Sequence, residues 1–430
     1  MDYLRGIIGI ALFVAIAFLL SKNKHAINWR LVIAGVVLQF LAGFLILRVA
    51  FVARIFDKVS EGFVKFLSFS QDGAEFLFGG LVDETSFGFI FAFQVLPTII
   101  FFSTVSSGLY YLGILQKIVY SIAWVMAKTM NLSGPESLSA AGNIFLGQTE
   151  APLLVKPYIA NMTYSELMCL MTGGMATIAG GVLAGYVAFL GGDDPAERTR
   201  FAAYLLSASI MNAPAAIVIS KILIPETKTD HVNTELKVSD EDLGVNLIDA
   251  LSRGAGDGLR LAANVGGMLL AFIAVIAALN FLLEDVFGDL TNLNAFVLSS
   301  TGGVFDGFSL EYILGQVFRV FAFIMGVDWI ETLQVGSLLG QKTVINEFVA
   351  YLSMSEMKNE NLIGGKALVV ATYALCGFSN FSSIAIQIGG IGSIAPSQQT
   401  NLSKLGLWAL LGATIACMMT GTIAGMLVNY

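Results

Sequence analysis

Charged residues are scarce in this 430-residue chain. Asp, Glu, Lys and Arg make up 13% of it, whereas apolar residues make up 56%. Because soluble domains carry about 25% charged residues, these charges are too few to cover the surface of a water-soluble fold of this size. The mean hydropathy is +0.78. The composition therefore predicts an all-α polytopic membrane protein.

Histidine and cysteine are also rare, and their positions argue against several kinds of site. The two histidines, His25 and His231, lie in polar stretches far apart in the chain, which argues against a histidine-based metal site or triad. Cys169, Cys376 and Cys417 lie in apolar segments without metal-ligand spacing, and we interpret them as small buried apolar residues. We expect no enzymatic activity and no organic cofactor.

A basic face is missing as well, since the formal net charge is −8, and this argues against nucleic acid as a partner. The apolar run after Arg5 has no cleavage site behind it, so we expect a retained first transmembrane helix rather than a signal peptide. Lys22, Lys24 and Arg30 follow that run. By the positive-inside rule the first loop is predicted to be cytoplasmic and the N-terminus outside.

Spanning a bilayer takes about 20 apolar residues, and eight segments meet this criterion. They are residues 6–21, 31–50, 87–106, 166–191, 201–224, 261–283, 364–388 and 406–428. The segments 53–82, 108–130 and 311–326 combine charges with apolar residues at helical spacing, which predicts amphipathic interfacial helices. Residues 226–260 are the most polar stretch and predict a solvent loop that runs into a short amphipathic helix.

Two further segments, 133–160 and 330–356, are apolar enough to enter a membrane but too interrupted to cross it. The first unit reads GNIFLGQTEAPLLVKPY and then GGMATIAGGVLAGYV; the second reads LGQKTVINEFVAYL and then ALCGFSNFSSIAIQIGG. Each combines a Gly-Gln turn, a nearby Glu and a later helix broken by Gly, Ser or Asn. This internal echo predicts a transporter core built from inverted repeats, with two re-entrant helical hairpins.

We treat the chain as one membrane transporter domain with four parts. Residues 1–85 form the N-terminal and interfacial helices, and 86–225 form the first repeat with its hairpin. Residues 226–310 contain the polar loop and a long scaffold helix at 261–283, and 311–430 form the second repeat with its hairpin.

A carboxylate at membrane depth costs about 2.5–3.5 kcal/mol, so Glu150 in the first hairpin needs a partner or a function. One interpretation is a structural ion pair with Lys156. The other is solute binding together with Gln148 and Thr149, because amide, hydroxyl and carboxylate groups offer both donors and acceptors to the edge of a heterocycle.

Glu347 in the second hairpin poses the same choice. A carboxylate can accept two hydroxyl donors at once, which suits a sugar diol. Asn380 and Ser383 lie three residues apart in the second broken helix and so share a helix face, with Phe378 close to it. Interhelical packing is the alternative role for each.

Asn143 and Thr177, with carbonyls nearby, offer only hard oxygen ligands. Such ligands suit sodium or a proton-like cation rather than a transition metal. Helix capping or an interhelical hydrogen bond is the alternative.

The segments GNIFLGQTEAPLLVKPY, MATIAGGVLAGYVAFLG, INEFVAY and ALCGFSNFSSIAIQIGGIG closely resemble the concentrative nucleoside transporters, in a likeness that covers residues 85–428. The resemblance, to the bacterial eight-span form, implies a symporter that concentrates nucleosides such as uridine across the cytoplasmic (inner) membrane by alternating access. Sodium is favoured as the coupling ion by the intact Gln-Thr-Glu triplet. A homotrimer is also implied, in which each protomer has its own transport path.

The resemblance assigns nucleoside contacts to Gln148, Thr149, Glu150, Val182, Glu347, Phe378, Asn380 and Ser383. The first three would bind the base, Glu347, Asn380 and Ser383 the ribose, and the remaining two would pack on the ligand. It assigns sodium contacts to side chains or carbonyls of Asn143, Leu146, Thr177 and Ile178. Many family members have Ser at position 177, and Thr keeps the hydroxyl oxygen.

Alternatives to this function differ in the features they require. An intramembrane enzyme needs a nucleophile with a base, and a channel needs a continuous polar stripe; the sequence shows neither. Proton coupling stays open, as does another polar solute such as a free nucleobase. A free base would leave the ribose-facing groups unpaired.

Overall fold

The computed structural model describes residues 2–83, 90–192, 194–228, 233, 235–237 and 244–428. Over these ranges the chain forms helices and no strands. The α-helices of nine or more residues are α1 (Asp2–Leu20), α2 (Trp29–Arg48), α3 (Ala50–Phe78), α4 (Leu96–Tyr111), α5 (Ile114–Met130), α6 (Gly134–Gly142), α7 (Tyr164–Ala176), α8 (Gly180–Gly191), α9 (Pro195–Leu223), α10 (Leu247–Asn280), α11 (Leu293–Thr301), α12 (Leu310–Ile324), α13 (Thr332–Val344), α14 (Glu347–Asn359), α15 (Gly365–Leu375), α16 (Phe381–Ile394) and α17 (Gln399–Leu427).

Shorter helical turns connect these helices. They lie at Lys24–Ala26, Gly79–Val82, Phe91–Gln94, Ala151–Val155, Lys156–Ile159, Asp289–Thr291, Trp329–Glu331 and Pro396–Gln398, and a π-helical stretch, Phe281–Gly288, extends α10.

Of the described helical segments, seven are long and apolar enough to cross a membrane. They are α1, α2, α4 with its preceding turn, α7 joined to α8, α9, α10 with its extension, and α17 with its preceding turn. The eighth predicted span, 364–388, consists of two shorter apolar helices, α15 and α16. Its predicted break is therefore present. Residues 87–89 of the predicted span 87–106 lie outside the described part of the chain.

The remaining segments match their predictions, with one change in detail. The predicted amphipathic segments 53–82, 108–130 and 311–326 are helical, mainly as α3, α5 and α12. Within the polar stretch 226–260, residues 247–260 are the first turns of α10, so the amphipathic part continues directly into the long helix. Residues 229–232, 234 and 238–243, which include His231, lie outside the described residues.

Both predicted hairpins have the form of two short arms. Hairpin 1 enters through α6, turns over residues 143–150 and returns through Ala151–Val155 and Lys156–Ile159. Hairpin 2 consists of α13 and α14, which meet at residues 345–346. The second Gly-Gln pair, Gly340 and Gln341, does not form the expected turn, because both residues lie inside α13. The break falls instead at Asn346, whose side chain accepts the Val349 N–H at 3.0 Å and caps α14.

The base of hairpin 1 lies on the same side of the molecule as the end of α1. The Lys22 N–H, just past α1, donates to the Leu223 carbonyl at the end of α9 (2.9 Å). Near that end of α9, Lys221 forms a buried ion pair with Glu136 in the first turn of α6.

The base of hairpin 2 lies at the other end of α1. Arg5, near the start of α1, forms an ion pair with Asp328, which precedes hairpin 2 (3.3 Å). Because α1 is about 28 Å long at 1.5 Å per residue, its two ends face opposite sides of a bilayer. The two hairpins therefore enter from opposite sides, as inverted repeats require.

Candidate functional site

The two broken helices cross at their breaks. The first break, residues 177–179, separates α7 from α8, and the second, residues 376–380, separates α15 from α16. The Phe378 N–H donates to the Thr177 carbonyl across the crossing (3.3 Å). A Cβ on Gly377 would lie only 2.7 Å from the Ala176 carbonyl oxygen. The backbones approach this closely because Gly377 has no side chain.

Carbonyl groups released at the breaks are satisfied by neighbouring helices. The Cys417 thiol on α17 lies 3.4 Å from the Ala176 oxygen and 3.5 Å from the Cys376 oxygen. Asn212 on α9 donates its amide to the same Cys376 carbonyl at 2.6 Å. The three cysteines are buried, as predicted, and Cys417 also contributes a weak donor at the crossing.

Glu347 begins α14 and points its two carboxylate oxygens at two donors. Its Oε1 accepts from the Tyr186 hydroxyl at 3.0 Å, and its Oε2 accepts from the Asn380 amide at 2.9 Å. The side chain is only 3% exposed. Tyr186 was missed in the sequence, although it lies four residues after Val182 and so shares its face of α8.

Lys342, five residues before Glu347, has a backbone partner on another helix. Its ammonium group donates to the Ala374 carbonyl in the last turn of α15 at 2.8 Å, where a cation complements both the free carbonyls and the helix dipole. It thereby joins the first arm of hairpin 2 to the second broken helix.

Asn380 and Ser383 share the start of α16, as their spacing predicts. The Asn380 oxygen accepts the Ser383 N–H at 2.9 Å and the Ser382 hydroxyl at 2.6 Å, so this residue caps α16. Capping fixes the amide orientation and directs its nitrogen to Glu347.

The tip of hairpin 1 lies against α16. Glu150 accepts the Gly147 N–H at 3.0 Å, which closes the turn. Gln148 donates to the Ser383 hydroxyl at 3.1 Å, and Thr149 is exposed. Residues predicted to bind a base and a sugar are thus joined by a hydrogen bond across 235 positions of sequence.

The apolar candidates flank the crossing. Phe378 lies within the second break and Val182 in the first turn of α8, directly after the first break. Both side chains are buried.

Asn143 stands out because both polar atoms of its side chain are buried without a hydrogen-bond partner among the described residues. It lies against α7, since a Cβ on Gly173 would be 3.4 Å from its nitrogen. The Thr177 hydroxyl donates to the Gly173 carbonyl at 2.9 Å and keeps its lone pairs available. Leu146 and Ile178 are also buried. The Asn143 amide and the Thr177 hydroxyl thus both lie against Gly173, and hard oxygen donors of this kind fit a monovalent cation.

Three family models match successive parts of the chain. A model for the N-terminus of Na+ dependent nucleoside transporters matches residues 8–81, a nucleoside recognition model matches 92–193, and a model for the C-terminus of Na+ dependent nucleoside transporters matches 204–425.

Similar proteins come from bacteria and mammals. The uncharacterized transporter YutK of Bacillus subtilis (strain 168) is 42% identical over 100% of both chains. Solute carrier family 28 member 3 of Rattus norvegicus is 41% identical over 97% of this chain and 58% of the rat protein. Sodium/nucleoside cotransporter 1 of the same species is 40% identical over 97% and 63%. The chain thus spans about three fifths of these rat relatives and the whole of the Bacillus protein.

Solved structures of CNTnw resemble this chain throughout. The inward-facing, substrate-bound structure superposes with a TM-score of 0.89 at 38% identity and covers 100% of both chains. An outward-facing variant gives a TM-score of 0.88 at 37% identity, covering 99% of this chain and 98% of that one.

Proposed function

The chain belongs to the family of concentrative, Na+-dependent nucleoside transporters, and we propose that it is a sodium-coupled symporter that concentrates nucleosides such as uridine. It is a multi-pass membrane protein of a transporter family, not an enzyme. The observation that carries the proposal is the meeting of both hairpins with both broken helices at one buried polar centre. There Glu347 of hairpin 2 contacts Tyr186 and Asn380, while Gln148 of hairpin 1 contacts Ser383.

In the proposed complex the base binds the tip of hairpin 1 through Gln148, Thr149 and Glu150. The ribose hydroxyls bind Glu347, Asn380 and Ser383, and Phe378 and Val182 pack on the ligand. A diol suits the pair of carboxylate oxygens, because both already accept from donors that hold their orientation.

Sodium would be held by the side chains of Asn143 and Thr177 and by carbonyls of Leu146, Thr177 and Ile178. Bound there, the ion supplies a fixed positive charge beside hairpin 1. Since Asn143 directly follows α6, ordering its side chain also orders the turn that carries Gln148. The nucleoside then has less ordering to provide, which is positive coupling between the two sites.

Alternating access would follow from movement of the two hairpins and their broken helices against a scaffold that includes α10. CNTnw, the structural relative, is known in inward-facing and outward-facing states. We also propose insertion in the lipid of the cytoplasmic (inner) membrane with the N-terminus outside, and a homotrimer in which each protomer transports independently.

Uptake of radiolabelled uridine into proteoliposomes tests the function. We expect accumulation above the external concentration under an inward sodium gradient, and none under a proton gradient alone. Accumulation driven only by protons would favour the proton-coupled alternative, and stronger competition by uracil than by uridine would favour a free-nucleobase carrier. No uptake under either gradient would overturn the proposal.

Replacing Asn143 by Ala should weaken sodium binding. The substitution deletes the only side-chain amide at the proposed ion site, and we expect the sodium concentration for half-maximal uptake to rise about tenfold or more, the effect of losing one interaction with a charged group. Asn161→Ala, at an exposed position at the end of hairpin 1, is the matched control. An unchanged sodium dependence in Asn143→Ala would exclude Asn143 as a ligand.

Replacing Tyr186 by Phe removes one of the two donors to Glu347 and leaves the ring in place. We expect the KM for uridine to rise about tenfold, since a hydrogen bond to a charged group contributes about 1.5–3 kcal/mol. Tyr351→Phe is the control, because the Tyr351 ring lies 4.6 Å from that of Tyr186 while its hydroxyl donates to the Thr372 carbonyl. An unchanged KM in Tyr186→Phe, or a rise no larger than in Tyr351→Phe, would show that the Tyr186 hydroxyl has no specific role in nucleoside binding.

A further inference from the structure

Gln387 is a fully buried polar residue on the face of α16 that contacts the tip of hairpin 1. It lies four residues after Ser383 and three before Gly390, so the three positions share one face. Ser383 accepts the hydrogen bond from Gln148. A Cβ on Gly390 would lie 3.1 Å from the Thr149 methyl group. Gln387 is therefore placed between the two contacts of the hairpin tip.

The orientation of the Gln387 amide is fixed by its partner. Its nitrogen donates to the Met171 carbonyl on α7 at 3.1 Å, and a carbonyl only accepts, so the side-chain oxygen must point the other way. That oxygen is buried and has no hydrogen-bond partner in the part of the chain that the structure describes.

Gln387 and Gln148 meet on either side of Gly174. A Cβ at that position would lie 2.4 Å from the Gln387 nitrogen and 3.2 Å from the Gln148 Cβ. The Gln148 oxygen is also buried and unpaired among the described residues. Two neighbouring side chains, each with an acceptor oxygen that has no donor among the described residues, thus lie at the tip that we propose to bind the base.

We propose that Gln387 selects nucleosides whose base carries an exocyclic amino group, such as cytidine and adenosine, over the oxo bases of uridine and inosine. This inference rests on the proposed function, because it names the substrate class of the same site. Gln148 cannot discriminate alone, since rotation of its amide can present either a donor or an acceptor. Gln387 can, because the Met171 carbonyl holds its amide nitrogen and leaves its oxygen as an acceptor; in this proposal that oxygen faces the exocyclic position of the base, where an amino group donates to it and an oxo group does not.

The test compares cytidine, uridine and N4,N4-dimethylcytidine as substrates of the full-length protein in proteoliposomes. In the wild type we expect the KM for cytidine to be about tenfold lower than for uridine, because an acceptor facing an oxo group stays unpaired. In Gln387→Met, which keeps the length of the side chain, we expect this preference to disappear. The penalty for dimethylation should shrink as well. The steric cost of the two methyl groups is common to the wild type and the variant. A change in the ratio of the KM for dimethylcytidine to that for cytidine therefore reports the hydrogen bond.

Gln39→Met is the matched control. Gln39 on α2 is equally buried, donates its amide to Thr420 at 2.9 Å and likewise has an oxygen without a partner among the described residues. It should keep the wild-type preference.

A wild type without preference for cytidine, or a Gln387→Met variant that retains it, would overturn the inference and leave Gln387 as a link between helices. If this variant fails to fold, the wild-type ratios of cytidine to uridine and to dimethylcytidine still decide. Absence of uptake for every nucleoside would overturn the proposed function itself. Uptake of nucleosides without base preference would overturn only the role of Gln387.

Discussion

Glu347→Gln is expected to reduce kcat/KM for uridine more than a hundredfold while the protein still reaches the membrane. The wild-type carboxylate accepts from Tyr186 at 3.0 Å and from Asn380 at 2.9 Å. An amide at this position has one acceptor oxygen instead of two and carries no negative charge, so it loses the charge-assisted hydrogen bonds and one of the two acceptors offered to the ribose hydroxyls. Hydrogen bonds to a charged group contribute about 1.5–3 kcal/mol each, and about 1.4 kcal/mol is tenfold in rate.

The measurement is the initial rate of sodium-driven uridine uptake, normalised to the amount of reconstituted protein. Glu356→Gln is the control, because it makes the same change in charge at an exposed position of the same helix. Thermal unfolding in detergent separates loss of binding from loss of the fold. Near-normal uptake by Glu347→Gln would exclude this residue from the nucleoside site.

Glu150→Gln is expected to have an effect of similar size for a different reason. Glu150 is partly exposed at the tip of hairpin 1, and one of its oxygens accepts the Gly147 N–H at 3.0 Å. A glutamine can retain that bond through its oxygen, so the turn should survive. The variant then loses only the second acceptor oxygen and the negative charge offered to the base. We expect kcat/KM to fall about a hundredfold, since a hydrogen bond to a charged group contributes about 1.5–3 kcal/mol.

Thermal stabilisation by ligands distinguishes this variant from a damaged hairpin. We expect sodium to stabilise Glu150→Gln as it does the wild type, whereas uridine should no longer do so. Loss of both responses would indicate that the turn has changed. Wild-type uptake by both Glu150→Gln and Glu347→Gln would contradict the whole site assignment.

The second hairpin shows where a repeated sequence pattern misleads. GQTE and GQKTVINE begin alike, yet the first pair opens a turn and the second continues a helix. Gln341 bonds to Ser337 at 3.1 Å and accepts from Ser353 at 2.8 Å, within the two arms of its own hairpin. The turn is set instead by Asn346, whose short side chain can cap a new helix. Motif identity therefore gave the correct hairpin but the wrong residue for its break.

Several features of this protein follow from the sequence alone. The low charge content requires a membrane, because its fold could not otherwise cover its surface. Polar residues inside apolar segments of insufficient length require re-entrant hairpins, because unsatisfied backbone is tolerated in a membrane only inside protein or beside water. The three-residue spacing was enough to place Asn380 and Ser383 on one helix face, since the face that a residue occupies depends only on helix geometry.

Only the tertiary structure identifies the partners of these residues. Tyr186 contacts Glu347 across 161 positions, and Gln387 contacts Met171 across 216. Helical periodicity fixes which face a residue occupies but not which helix packs against that face. The same limit applies to the crossing of the two breaks, where Gly377 lies against Ala176. Glu347 and Gln148 were recognisable as costly polar residues in an apolar chain, whereas the groups that orient and accompany them became visible only when the helices were packed.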